Sequence, residues 1–453
     1  MREVGIVGIG HTKFGKSAVP YLDMCCNAAL EAMDDAGAKT GRKNVIDQVF
    51  VGTMGAGMVN RLSGAASAVV DTLNLRPAMA ETVENGPASG ASALKLGYAA
   101  IASGMCDCVL IIGGEAMREV TGWEGTDFVA TMLHPTGEYP YGLTLPAFAG
   151  MFTRLCMDKY GVTSRDLSIV SVKNHDNACL NPNAHIHSRV KLERITDERY
   201  IAATNPLVAD PLRQYDMCPV SDGAAALLLV AKDKQEELGF GHKPFIKVAG
   251  IASATDTHYV ANREEPSDLL AVRLSAQKAY KMAGVGPEDI DVAELHDAFQ
   301  ILEVEESEET GLFPRGTGHL AAREGRTTLT GDMPINTSGG LKAKGHPLGG
   351  TGVSQIVELV KQLRGEAGKM EQMYAYKCTK CGKLHHPRYI VCQNPDCDGR
   401  EFEQIPLEGK CKLLTWTRVY NLPEGYMVPW LNFGIVEFEN GVRATGQIGF
   451  DDG

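Results

Sequence analysis

Two histidines sit in settings suited to acid–base chemistry, because imidazole exchanges protons near neutral pH. His346 lies in Asn336-Thr-Ser-Gly-Gly-Leu-Lys-Ala-Lys-Gly-His-Pro-Leu-Gly-Gly-Thr-Gly352, a stretch with six glycines. Such glycine density lets a backbone approach a ligand closely. Ser338, Gly339, Gly345, Gly349 and Gly350 are therefore the expected cradle for a bound group. The apolar run Val353 to Leu363 predicts a helix whose free N–H groups and positive end face the loop's cargo. Without a ligand, the same stretch would be a tight turn with a surface histidine. His296 opens His296-Asp-Ala-Phe, and Asp297 beside it either takes part in chemistry, orients a neighbour or caps the next helix. Near the C-terminal end, Cys378-x2-Cys381 and Cys392-x4-Cys397 have the spacing of a four-thiolate zinc knuckle. All four positions would be filled by protein, so that zinc would be structural.

The elements that must position these groups follow an α/β rhythm. Glu3 to Gly10 reads as a strand and Asp23 to Ala36 as an amphipathic helix, with Cys26, Ala29 and Met33 on one face. Strands follow at Val45–Val51, Met79–Val83 and Cys108–Gly114, with helices at Ala65–Leu73 and Ala91–Ser103. The last strand is apolar throughout, as a sheet covered on both faces requires. Residues 115–245 break the rhythm as a loop domain. The first pattern then returns. Phe245–Ser253 mirrors the opening strand, Leu269–Gly284 the first helix, Ile290–Leu295 the second strand, and Asn336–Gly365 the glycine loop and helix of Asn85–Gly104. Two glycine loops should then face one shared pocket across a pseudo-twofold axis.

The expected domains are 1–244, with the loop domain inside it, 245–372, a zinc ribbon at 373–405 and an OB-like barrel at 406–453. About four strands are expected between Leu413 and Gln447, with turns at Pro423-Glu-Gly and Glu439-Asn-Gly. The barrel is open or completed by a partner. A net charge of −12 argues against nucleic acid as the main partner. No apolar run is long enough for a membrane span. Scattered cysteines suit a reducing, cytoplasmic compartment.

The motif around His346, His296-Asp-Ala-Phe, Asn174-His175 with Asn181-Pro182, and Ser221-Asp-Gly-Ala-Ala-Ala resemble the sterol-carrier-protein type of thiolase over roughly residues 1–372. The tail resembles the zinc-ribbon/OB-fold proteins that act with such thiolases on acyl-CoA. The resemblance implies a duplicated, five-layered fold of two βαβαβαββ halves, a homodimer, and an acyl-CoA substrate. One departure is decisive. Thiolases carry their acyl-accepting cysteine in the first glycine loop, as Cys-x-Ser-Gly, where this chain has Pro87-Ala-Ser-Gly. Proline has no nucleophile and no backbone N–H for an oxyanion hole. Ala298 likewise stands where the family's basic cysteine can sit.

The surviving histidines suit a thioester enolate made without an acyl-enzyme. The expected activity is retro-aldol cleavage of a β-hydroxyacyl-CoA, or its reverse, as in thiolase-like aldolases that shorten steroid side chains. The alternatives are a non-catalytic acyl-CoA or lipid scaffold, and a thiolase with a relocated nucleophile. A hydratase or another pathway protein is an expected partner. Ser89 is expected to cap its helix, His175 to shape the pocket or hold a loop, and His11 and His134 to be structural. Arg388, Lys410 and Lys412 are candidate contacts for CoA phosphates.

Overall fold

The computed structural model describes residues 1–118, 120–367, 374–385, 392–406, 411–419, 431–438 and 443–447. They fall into two compact units, Met1–Gly368 and Lys369–Gly453. The first unit opens with β1 (Val4–His11), α1 (Tyr21–Ala36), β2 (Gln48–Gly52), α2 (Ala65–Thr72), β3 (Met79–Val83), α3 (Ser89–Ser103) and β4 (Cys108–Glu115). A helical excursion follows: α4 (Gly122–Ala130), α5 (Leu145–Tyr160), α6 (Ser164–Ala178), α7 (Leu192–Thr196) and α8 (Ile201–Thr204). It closes with a small hairpin, β5 (Leu207–Ala209) and β6 (Leu212–Arg213). The chain then returns through β7 (Gly223–Ala231), β8 (Ile246–Lys247), α9 (Leu270–Ala283), α10 (Gln300–Glu309), α11 (Gly318–Arg323) and α12 (Leu348–Leu363).

The main sheet has the order β3-β2-β4-β7-β1-β8. β2 lies parallel to β3 and β4, while β7 runs antiparallel to both β4 and β1. Every residue of β1, β4 and β7 is buried. Both faces are covered, which explains their unbroken apolar sequences. One face packs on α1 and α2, with Cys26, Ala29 and Met33 buried there as their helical spacing requires. The other face packs on α3 and α12 through Ile111, Leu227, Val353 and Val357.

The two glycine loops do meet. α3 and α12 approach at their first turns, where a Cβ on Gly90 would collide with Gly349 O, and one on Gly352 would lie 3.0 Å from Ala91 N. The helix after His346 is longer than its apolar run suggests, beginning at Leu348 rather than Val353. Pro347 fixes that start, since proline fits a helix entry but not its interior.

The second half departs from its expected strands. Phe245–Ser253 yields only β8, and Ile290–Leu295 forms no strand beyond a parallel bridge from Ala293 to Ile335. The physical cause is a lack of neighbours. In the first half β4 and β7 occupy the middle of the sheet, whereas after α12 the described chain next forms β9 (Tyr374–Cys378) of the second unit.

In that unit β10 (Leu384–His385), β9 and β11 (Phe402–Pro406) form one three-stranded sheet. β12 (Cys411–Val419), β13 (Leu431–Phe438) and β14 (Arg443–Gln447) form another, fully antiparallel. Three strands thus stand among the described residues where about four were expected. The turns at Pro423 and Glu439, with Arg388 and Lys410, lie outside the described residues. Lys412 is exposed in β12. No helix among the described residues is long and apolar enough to cross a membrane.

Candidate active site

His346 is carried on the link between a π-helical turn, Gly340–Lys344, and α12. Gly345 takes φ +112°, a left-handed region open to glycine, and a Cβ there would stand 2.8 Å from Ser221 Oγ. That close seat lets the His346 N–H donate to Ser221 Oγ at 3.2 Å. Gly349 permits the other close approach, since a Cβ would lie 2.5 Å from Gly52 O and 2.7 Å from Thr53 Cα. The carboxylate of Glu115, buried at the end of β4, accepts from the N–H groups of Gly349, Met54 and Gly55. It thereby ties the glycine loop of His346 to the turn that follows β2.

His296 meets His346 edge-on, with ring centroids 4.9 Å apart and planes at 89°. Burial pushes the His296 imidazole down to about 4. Burial first, then His296 and Lys344, hold His346 well below the usual imidazole range. Both rings are therefore neutral at pH 7. The His346 Nδ1 lies 2.7 Å from Thr351 Oγ1, and that hydroxyl donates to Pro347 O at 3.0 Å. A hydroxyl has one hydrogen, and a carbonyl can only accept. The assignment follows that Nδ1 carries the ring's hydrogen and Nε2 keeps its lone pair. Nε2 of His346 is thus the ring nitrogen able to accept a proton. The His296 ring has no hydrogen-bond partner among the described residues.

Asp297 is fully buried and spends its carboxylate on backbone. It accepts from Leu341 N at 2.6 Å, Lys342 N at 3.2 Å and Asn174 Nδ2 at 2.7 Å. It caps the π-helical turn rather than α10. Burial, then the charge of Glu303, push its carboxyl up to about 7. Glu303 in turn accepts from Lys173, Asn174 and Asn336, a closed and buried polar network. Ser338 donates to Glu294 at 2.5 Å, and Gly339 packs on Ala178 of α6. These two face the helical excursion, while Gly345 and Gly349 face the main sheet. Gly350 makes only ordinary contacts.

At the first loop, Ser89 does not cap α3. It starts the helix, accepts from Asn85 N at 2.8 Å and donates to Gly86 O at 2.6 Å, closing the turn that holds Pro87. Asn85 Nδ2 reaches Ser92 Oγ at 2.9 Å. Pro87 lines a cavity of about 940 Å³ with Glu84, Asn85, Met54, Met132 and His258. Neither His296 nor His346 is among its lining residues. His175 is bound to Ser188 O, and His11 is buried against Ser354 Oγ and Thr12 O. His134 accepts from Gly137 N.

Two residues were not singled out by sequence. Glu306 accepts from His296 N at 2.7 Å, and burial pushes its carboxyl up to about 8, so it holds its proton at pH 7. It belongs to the acidic run Glu303–Glu309, which reads as a solvated face until α10 is seen packed. Thr351 reads as an ordinary helix residue; only its place five residues after His346 hinted at contact.

In the second unit the sulfurs of Cys378, Cys381, Cys392 and Cys397 all lie within 4.8 Å of one another. Cys378–Cys397 and Cys381–Cys392 are 3.8 and 3.5 Å apart. Ligands about 2.3 Å from a tetrahedral ion would be about 3.8 Å apart. The four thiols therefore fit a four-coordinate metal ion.

Comparisons with known proteins agree with this architecture. Residues 4–233 match the thiolase N-terminal domain, and residues 252–382 match the thiolase C-terminal domain-like family. An acetyl-CoA acetyltransferase of Methanothermobacter thermautotrophicus is 39% identical over 82% of this chain and 93% of its own length. Rabbit (Oryctolagus cuniculus) sterol carrier protein 2 is 33% identical over 81% of this chain and 67% of its own. Among solved structures, the Ltp2-ChsH2(DUF35) aldolase is 26% identical with a TM-score of 0.67, covering 81% of this chain and 91% of that one. A duplicated α/β layout, paired glycine loops and matched family domains thus lead to one conclusion: this chain belongs to the thiolase family.

Proposed function

We propose that the chain is an acyl-CoA carbon–carbon lyase. It cleaves a β-hydroxyacyl-CoA by a retro-aldol step, or runs the reverse condensation, without a covalent acyl-enzyme. The observation that carries this reading is a neutral imidazole pair retained in a chain whose first glycine loop has proline at position 87. His346 Nε2 takes the proton of the β-hydroxyl. The C–O bond becomes a carbonyl, the Cα–Cβ bond breaks, and its electrons pass into the thioester as an enolate. His296 donates a hydrogen bond to the enolate oxygen. The His346 imidazolium then returns its proton to Cα, leaving an aldehyde or ketone and a shorter acyl-CoA. Asp297 acts by position, holding the turn that precedes His346.

The runner-up reading is a thiolase-type acyltransferase with a relocated nucleophile, favoured by the acetyltransferase names of relatives. Its weakness is the state of the thiols. In the first unit every described cysteine has its pKa raised, with burial as the leading cause: Cys218 and Cys25 to about 12, Cys26 and Cys106 to about 11, and Cys108, Cys156 and Cys179 also upward. A catalytic thiol needs the opposite shift. Incubation with β-hydroxyacyl-CoA thioesters, followed by detection of released acyl-CoA and carbonyl product, tests the lyase directly. Absence of both products would remove it and leave the acyltransferase or an acyl-CoA scaffold.

Two further outcomes belong here. Burial lowers both imidazoles, His296 to about 4 and His346 well below the usual imidazole range, so the base form of His346 persists below the pH at which a free imidazole gains its proton. Cleavage by kcat/KM should therefore stay level from about pH 5 to 7, with no inflection near the usual imidazole value of about 6.5. Thr351→Val should lower kcat about tenfold, equivalent to about 1.4 kcal/mol of lost transition-state stabilisation. KM should hold, and Thr351→Ser should restore the rate. An equal loss in Thr351→Ser would show that the hydroxyl does not fix the ring.

We assign zinc to the four-cysteine group, as a structural ion holding the ribbon. Denatured protein should release one zinc ion per chain to a colorimetric chelator, and Cys392→Ser should remove that signal. Zinc-free protein with an intact ribbon would contradict the assignment. The free thiols elsewhere suit a cytoplasmic protein. The exposed edge strand β3, which ends beside the Pro87 loop, suits pairing in a homodimer. A hydratase that makes the β-hydroxyl is the natural neighbouring enzyme.

A further inference from the structure

The second half repeats the first in detail and then, among the described residues, lacks two of its strands. A Cβ on Gly8 of β1 would collide with Ala32 O of α1 and lie 2.9 Å from Ala36 Cβ. Gly250 is set in the same way against α9, colliding with Ala279 O and lying 3.1 Å from Ala283 Cβ. Both helices end on left-handed glycines, Gly37 and Gly284. The parallel pairing of β2 with β3 has its counterpart in the parallel bridge from Ala293 to Ile335. The first half places β4 and β7 between β2 and β1. No strand among the described residues takes those two places between 290–295 and 245–253.

The consequences of that gap are visible on every side of it. α1 buries nine residues, while none of the fourteen residues of α9 is buried, although it carries Leu270, Val272, Leu274, Tyr280 and Met282. No residue from 245 to 253 is buried, against all eight of β1. The backbones of Ala249, Gly250, Ala252, Val292 and Glu294 make no hydrogen bond among the described residues. Unpaired strand edges of this kind are templates for added strands.

We propose that this slot receives an antiparallel pair of β-strands from a separate polypeptide. The first half specifies the guest's chemistry. Ile246, Val248 and Ile251 pack on the cluster that includes α3 and α12, while Gly250 faces α9. A strand between those layers is covered on both faces, so the guest is apolar along its covered length, as β7 is and as β4 is up to its terminal Glu115. Among the described residues this chain shows no spare pair to lend to a second copy. Its β4 and β7 are already buried in the main sheet, and β12 and β14 carry Lys412, Arg418 and Arg443, charges unsuited to a strand covered on both faces.

Amide exchange on the full chain tests the proposal. Alone, α9 should exchange about a hundredfold faster than α1, the mark of a helix without its packing partner. The probe is a lysine-flanked peptide joining the sequence of 108–115 to that of 223–231 through an Asn-Gly turn, in the register where Glu115 faces Gly223. It should slow α9 exchange about tenfold or more. The same peptide with Ile111→Lys and Leu228→Lys should leave the rate unchanged. Protection of α9 equal to that of α1 in the chain alone would overturn the proposal. So would protection that grows with protein concentration, which would identify a second copy as the cover. A peptide without effect would overturn it as well.

Discussion

Replacing His346 by alanine should reduce cleavage of a β-hydroxyacyl-CoA by about a thousandfold, the range expected when a positioned general base is lost. The loss should fall on kcat, because in the proposed reaction the ring acts on the β-hydroxyl proton rather than on CoA. Two features set the size of the effect. Burial keeps the imidazole neutral, and Thr351 directs its lone pair to Nε2. No described thiol stands ready to replace it, and Asp297 is spent on backbone N–H groups. Retention of full activity in His346→Ala, measured as acyl-CoA release, would remove the base from the mechanism. Circular dichroism of the variant separates that result from misfolding.

The second large effect is a gain. Pro87→Cys should give a chain that is acylated by acetyl-CoA, where the parent is expected to form no acyl adduct. The new thiol would sit just before α3, where the helix N-terminus favours a thiolate, and the substitution also restores a backbone N–H. Intact mass spectrometry after acid quench should show the added acetyl group in most of the variant and none in the parent. Iodoacetamide should block it. An adduct on the unmodified parent during turnover would refute cleavage without a tether. Failure of the variant to acylate would mean that position 87 does not face the acyl group.

Local pattern made much of this molecule legible. The β/α alternation, the exposed and buried faces of α1, the meeting of two glycine loops and the four-cysteine cluster all follow from spacing and residue type. The second half shows where that reading stops. Phe245–Ser253 has strand composition, yet a strand exists only with partners, and those are set by chain hundreds of residues away. Glu303–Glu309 has the look of a wet helical face, but α10 buries most of it against Arg273, Arg315 and the Lys173 network. The role of Thr351 rests on a single hydroxyl hydrogen, which no periodicity encodes. Ser89 was expected at a helix cap and instead bonds back into its own turn, a choice between two local geometries that differ by one residue.

The seam between the two glycine loops runs through Gly90 against Gly349 and Ala91 against Gly352, three residues past Pro87. Mechanically, position 87 is off the hinge line: it borders open space, while the load is borne further along the helix. A lineage can therefore exchange one reaction for another at that spot without re-engineering the seat of the histidine. The same scaffold would tolerate tethered and untethered chemistry as alternative fittings.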